Sequence, residues 1–275
     1  MPKRLWTRDE MILTLALYFQ LPFGRLNHTT PEVRELAKLM NRTENAVALR
    51  LVNYAACDPY IINSGRTGMP GGLSVCMPYW DEFAGDKEKL FLEAQRIKAN
   101  LLHQPIEETL YITSKELEGK EKETVIKQRV NQSAFRAMIL NNYESRCAIT
   151  GISVPELLVA SHIIPWAVNE KDRLNPENGI CLSALYDRAF DRGFISVDEN
   201  NKIILADKLR QYETEEFYAA HFASKKTSLF VCRKSICPIP CSLSGAGTVC
   251  LIKYKNGYVE DRIQDSFSIC WVWRA

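Results

Sequence analysis

The chain has 275 residues, 46% hydrophobic and 25% charged, with a formal net charge of +2. This size and balance suit one large or two smaller globular domains with a sizeable core. A charge so near neutral does not announce a nucleic-acid binder, so any contact with DNA must come from local clusters such as Arg42/Arg50 or Lys127/Arg129/Arg136.

The N-terminal sequence MPKRLWTRDE lacks the apolar core of a signal peptide, and no uninterrupted apolar run approaches the roughly 20 residues that span a bilayer. A cytoplasmic protein with no membrane partner is expected. Residues 6–57 predict three helices. Thr7-Arg-Asp-Glu10 is a capping box, and the run Met11 to Phe19 supplies the apolar face that follows. Leu21-Pro22-Phe23-Gly24 ends the first helix, and Thr30-Pro31 starts the second with proline at its first position. Asn41-Arg42-Thr43 makes a tight turn into a third helix over about Glu44 to Ala56. Two short helices joined by a tight turn fit a helix-turn-helix in which Arg42, Arg50 and Asn53 would contact DNA. A plain three-helix bundle used for packing fits the same pattern. Trp6-Thr7 and the run Asn41 to Val47 leading to Arg50 resemble Myb/SANT-like modules.

Residues 58–80 are rich in glycine and proline and read as a loop that is free to move. A helix follows over about Asp86 to Leu102. The charge run Lys115 to Glu123 reads as a solvated linker. The resulting division is a helical, helix-turn-helix-like domain over 1–105, a linker over 106–123, a second domain over 124–230 and a tail of no assigned role over 231–275. Within the second domain, 124–144 predicts a helix whose polar face carries Arg129, Gln132 and Arg136, suited to holding phosphates. Lys202 to Ala206 is rich in strand-forming residues, and 213–222 reads as a short helix.

The nine cysteines are an odd number with no Cys-x-x-Cys pair, so neither a disulfide framework nor a zinc knuckle is expected. Cys232, Cys237, Cys241 and Cys250 form the only cluster, and its spacing fits no standard structural zinc site. Cys147 and Cys181 read as core residues.

The most informative stretch runs from Arg146 to Val197. Leu157-Leu158-Val159-Ala160 predicts a short strand with His162 at its end, where an imidazole can accept a proton near neutral pH. Asn178-Gly179 favours a tight hairpin or a turn between strands, and the Asn178 amide can pin the surrounding backbone and so the base. Asp187 and Asp191 are four residues apart on a predicted helix and therefore share a face. Their hard oxygens suit Mg²⁺ or Mn²⁺. A base, an asparagine and a pair of carboxylates in this order are the parts of a one-metal phosphodiesterase. Trp166, Tyr186 and Phe190 are assigned to packing.

The blocks Arg-Cys-Ala-Ile-Thr-Gly, Ser-His-Ile-Ile-Pro-Trp, Asn-Gly-Ile-Cys-Leu and Phe-Asp-Arg-Gly, in that order, resemble the HNH endonuclease family. The likeness covers about residues 129–200. It implies a ββα-metal fold and metal-dependent cutting of nucleic acid, usually DNA. It gives His162 the general-base position and Asn178 the middle asparagine. The third family position, a histidine in common forms, holds Asp187 here, and the residue before the base is Ser161 rather than Asp or His. The metal set implied is then Asp187 and Asp191 assisted by Ser161 or water, with Mg²⁺ favoured, Mn²⁺ or Ni²⁺ as substitutes, and tight Zn²⁺ binding disfavoured.

The sequence therefore predicts an α+β protein with an N-terminal helical domain and a C-terminal ββα-metal nuclease domain. The implied function is a metal-dependent endonuclease acting on DNA in restriction or anti-phage defence, with a homodimer as one way to cut both strands. The rival is a DNA-binding regulatory protein whose HNH domain no longer cuts.

Overall fold

The computed structural model describes residues 4–112, 119–166, 172–197 and 202–225. The tail 231–275, its cysteine cluster, and residues 113–118 of the expected linker lie outside the described residues. The contacts divide the chain into two units, Met1–Asn141 and Asn142–Ala275. The first is helical and the second holds two small antiparallel sheets, so the protein is α+β.

The first unit begins with α1 (Arg8–Gln20), and the expected capping box is present. The Thr7 hydroxyl accepts from the Glu10 N–H at 3.3 Å, and the Glu10 carboxylate accepts from the Thr7 N–H at 2.9 Å. The same carboxylate is buried and bridges Arg4 at 2.5 Å and Arg42 at 2.8 Å. Burial acts to raise the Glu10 pKa, but hydrogen bonds from Arg42 and the Thr7 amide and the charges of Arg42 and Arg4 outweigh it. The net effect holds the group below its ordinary value.

Helix α2 (Pro31–Leu39) has proline at its first turn, and α3 (Glu44–Ala55) is capped by Thr43, whose side chain accepts from the Ala46 N–H. Tyr54 on α3 is fully buried and donates to the Met11 carbonyl of α1 at 3.0 Å. Burial drives the tyrosine pKa well upward.

The expected loop over 58–80 is instead largely ordered into α4 (Pro59–Asn63), a 3-10 turn at Pro70–Gly72 and α5 (Leu73–Phe83). The reason lies in two glycines. A Cβ on Gly68 would sit 2.2 Å from the Ala56 nitrogen, and one on Gly72 would sit 2.3 Å from the Asn53 Oδ1. Here glycine permits close approach of the backbone to α3 rather than motion.

Helix α6 (Lys87–Leu101) is capped by Asp86, and a short α7 (Ile106–Thr109) follows. Helix α8 (Gly119–Asn142) is tied to the first unit by Lys122–Glu107 and Arg96–Glu123 ion pairs. Near its end, Asn141 accepts from Arg25 at 2.5 Å and donates to the Gln20 carbonyl at 3.1 Å. The unit boundary therefore falls at the end of this helix, beyond the expected linker at 106–123.

In the second unit, Cys147–Ile152 closes on itself. The Cys147 N–H donates to the Ile152 carbonyl and Gly151 takes a positive φ of 72°. The Ala148 N–H then donates to the Cys181 carbonyl at 2.8 Å, adding this turn to the edge of β2. Strands β1 (Leu158–His162) and β2 (Gly179–Ser183) pair antiparallel with His162 opposite Gly179 and Leu158 opposite Ser183. Helix α9 (Ala184–Asp191) follows β2 directly and packs on both strands. Its apolar face, Tyr186, Ala189 and Phe190, is buried. The Phe194 N–H returns to the Ala189 carbonyl at 2.8 Å and Gly193 takes φ 62°, so the glycine of the Phe-Asp-Arg-Gly block is the helix stop. Strands β3 (Ile195–Val197) and β4 (Ile203–Leu205) form a second antiparallel pair, and α10 (Glu216–His221) with a 3-10 turn at Ala223–Lys225 completes the described chain.

Candidate active site

Two strands and a helix packed across them place the three expected groups in the second unit. His162 is the last residue of β1 and is half-buried. Its Nε2 lies 3.2 Å from the backbone carbonyl of Arg173. A carbonyl can only accept, so the contact is a hydrogen bond when Nε2 carries the proton.

Asn178 does not close a tight hairpin. It ends a 3-10 turn, Pro176–Asn178, at the far side of the long connection from β1 to β2. Its buried amide holds that connection shut. Oδ1 accepts from the Ile164 N–H at 2.7 Å, while Nδ2 donates to the carbonyls of Ile164 at 3.1 Å and Asp172 at 3.3 Å. The Ile163 N–H also donates to the Asn178 carbonyl at 3.0 Å. Asp172 is the neighbour of Arg173, so the asparagine fixes one carbonyl and the next carbonyl in the chain meets the histidine. The pinning amide is legible in the sequence and Arg173 is not, because its contribution is a main-chain oxygen that side-chain chemistry does not signal.

Asp187 and Asp191 lie on α9, both half-buried, four residues apart and hence on one face. Ser161 is buried at 3% exposure, and strand alternation sets it on the opposite pleat from His162. Among the described residues no group of three or more His, Cys, Asp or Glu stands ready to enclose a metal ion. Two carboxylates with the remaining positions left to water and substrate oxygens fit Mg²⁺, which keeps several waters. They do not fit a closed structural Zn²⁺ site. Cys147 and Cys181 are buried free thiols, and the Ser183 N–H donates to the Cys147 sulfur at 3.2 Å. Tyr186 is core, with its hydroxyl donating to the His221 carbonyl and burial raising its pKa.

The first unit encloses three of the residues expected to contact DNA. Arg42 is enclosed: its guanidinium pairs with Glu10, donates to the carbonyls of Arg4 and Leu5, and lies 4.6 Å from the Trp6 ring centroid. The Arg50 guanidinium lies 4.8 Å from the centroid of the same indole, donates to the Cys76 sulfur, and has a buried Nε. Asn53 is buried and donates to the Met69 carbonyl at 2.8 Å. Helix α5 and the Pro70–Gly72 turn pack on α3, so the face that would read DNA bases in a helix-turn-helix is internal. On α8, by contrast, Arg129 and Gln132 are exposed and Arg136 is half-buried, at spacings that share one face.

Residues 147–198 match the family model described as HNH endonuclease. The segment from the Cys147 turn through β3 is thus similar to HNH endonuclease domains, and this likeness lies within the second unit. No curated protein matches the chain. Among the described residues no helix is long and apolar enough to cross a membrane.

Proposed function

We propose that this protein is a divalent-metal-dependent endonuclease that hydrolyses DNA phosphodiester bonds, acting in the cytoplasm in restriction or anti-phage defence. The observation that carries the reading is the imidazole of His162 at the end of β1, with Nε2 3.2 Å from the Arg173 carbonyl. In the proposed reaction, Nδ1 removes a proton from a water whose oxygen attacks phosphorus in line. The bond from phosphorus to the 3′ oxygen breaks, and that oxygen leaves with a proton from solvent. Asp187 and Asp191 would hold the metal, with Ser161 or water assisting. When bound, a divalent cation supplies charge stabilisation to the phosphate and the departing oxygen. Asn178 keeps the loop, and through it His162, in place. Arg129, Gln132 and Arg136 are proposed to neutralise or bond neighbouring phosphates. A homodimer would bring two single-strand sites to one duplex.

A supercoiled-plasmid assay tests this. The protein is incubated with Mg²⁺, Mn²⁺, Ni²⁺ or EDTA, beside His162→Ala and Asp187→Ala, on modified and unmodified DNA. Metal-dependent nicking or linearisation that both substitutions abolish supports the nuclease. Intact plasmid throughout, with DNA still shifted by the protein, favours a DNA-binding regulator with a degenerate HNH domain. Asp187 at the third position and Ser161 before the base motivate that alternative.

A further inference from the structure

Two groups border the His162 ring. One is the Arg173 carbonyl at Nε2; the other is the Trp166 indole, perpendicular to the imidazole at 89° with ring centroids 5.5 Å apart. Both depend on Arg173. Its Nε–H donates to the Trp166 carbonyl at 3.1 Å, and its guanidinium lies 5.2 Å from the Trp166 ring centroid. One residue thus binds the histidine through its main chain and the tryptophan through its side chain.

We propose that Arg173 and Trp166 form a clamp that fixes the plane of the His162 imidazole, which makes both of them positioning residues. The inference rests on His162 serving as the base. An imidazole ring has two broad orientations about χ2, related by a half-turn. The half-turn exchanges Nδ1 with a carbon and withdraws Nε2 from its carbonyl, so only one orientation keeps the Arg173 contact. Asn178 sets the course of the loop backbone through Ile164 and Asp172. The perpendicular indole is what opposes rotation of the ring itself, and Arg173 is what holds the indole. The planar guanidinium can donate from Nε and stack on the ring at the same time, and a lysine ammonium cannot do both.

The test uses the full chain as Arg173→Lys, Trp166→Phe and Trp166→Leu, with two readouts. In single-turnover and steady-state cleavage of plasmid, Arg173→Lys and Trp166→Leu should lower kcat by about tenfold to a hundredfold, with KM changed by less than about twofold. Trp166→Phe, which keeps an aromatic edge, should recover part of the loss. In ¹⁵N NMR, the His162 ring nitrogens, assigned by their absence in His162→Ala, should report the Nε2-protonated tautomer in the parent chain. The same nitrogens should report a mixture of tautomers or ring states in Arg173→Lys. An unchanged ring spectrum in Arg173→Lys and Trp166→Leu overturns the clamp. So does a rise in KM with kcat preserved, which would assign Arg173 to substrate phosphate. If the parent chain cuts no DNA, the NMR readout still decides the clamp, and the nuclease reading fails separately.

Discussion

Asn178 holds both polar atoms of a single residue, Ile164: its Oδ1 accepts from the Ile164 N–H at 2.7 Å and its Nδ2 donates to the Ile164 carbonyl at 3.1 Å. An asparagine is needed for this, because the side chain must accept and donate at once. Asn178→Asp keeps one acceptor and replaces two donated bonds with repulsion between oxygens. It should cost about 1–3 kcal/mol of stability, since the buried carbonyls of Ile164 and Asp172 lose their donor. Cleavage should fall further than Asn178→Gln would suggest from stability alone. Thermal denaturation beside single-turnover cleavage checks this; a variant that melts lower yet cleaves normally would remove the link between the loop and the base.

The carboxylates of α9 should reveal themselves through metal demand. In Asp187→Asn or Asp191→Asn, the Mg²⁺ needed for half-maximal cleavage should rise by at least about tenfold, a size typical even of residues one step removed from a metal. Binding of the same DNA in EDTA should be unchanged. An unaltered Mg²⁺ titration for both variants would place the metal elsewhere.

The Glu10 network makes the first unit sensitive to acid. The folded pKa of Glu10 is lowered from its ordinary value of 4.5, so its contribution to stability is fully present above that value and is lost as pH falls through the folded pKa. Glu10→Gln leaves the Arg42 guanidinium enclosed without its counter-charge and should cost about 3 kcal/mol near neutral pH. The gap in melting temperature between parent and variant should narrow as the pH is taken from about 7 to about 3. A gap that does not depend on pH would mean that packing, not charge, is the source.

Asn53 and Gly68 should be structural. Asn53→Ala should lower stability by about 1–3 kcal/mol because the Met69 carbonyl loses its donor. DNA affinity of the folded variant should be unchanged. Gly68→Ala should be worse, since the added methyl meets the fixed backbone of Ala56 at 2.2 Å rather than a side chain that can move aside. Loss of DNA binding by folded Asn53→Ala would restore α3 as a reading helix.

Local chemistry was legible in the sequence, and long-range enclosure was not. The Thr7 cap, the proline start of α2, β1 ending at His162 and the shared face of Asp187 and Asp191 all follow from spacing within a few residues. The enclosure of Arg42, Arg50 and Asn53 is not legible because a polar residue on a short helix reads as exposed. Here Trp6, Glu10, Met69 and Cys76, distant in sequence, surround them. Residues 58–80 misled because glycine permits both motion and close packing, and only the distance to α3 separates the two. At the candidate site, the Arg173 carbonyl is a main-chain group that every residue possesses, so no residue type marks it.

The last turn of α8 bears on how the two halves of this chain can be separated and recombined. Asn141 is fastened to Gln20 and Arg25, while Asn142 opens the second unit. A chimaera that grafts another nuclease head onto the helical unit should therefore be joined after Asn141. A junction at residue 124 would exchange a helix that the recipient needs for its own integrity, and Arg25 would be left facing a foreign surface.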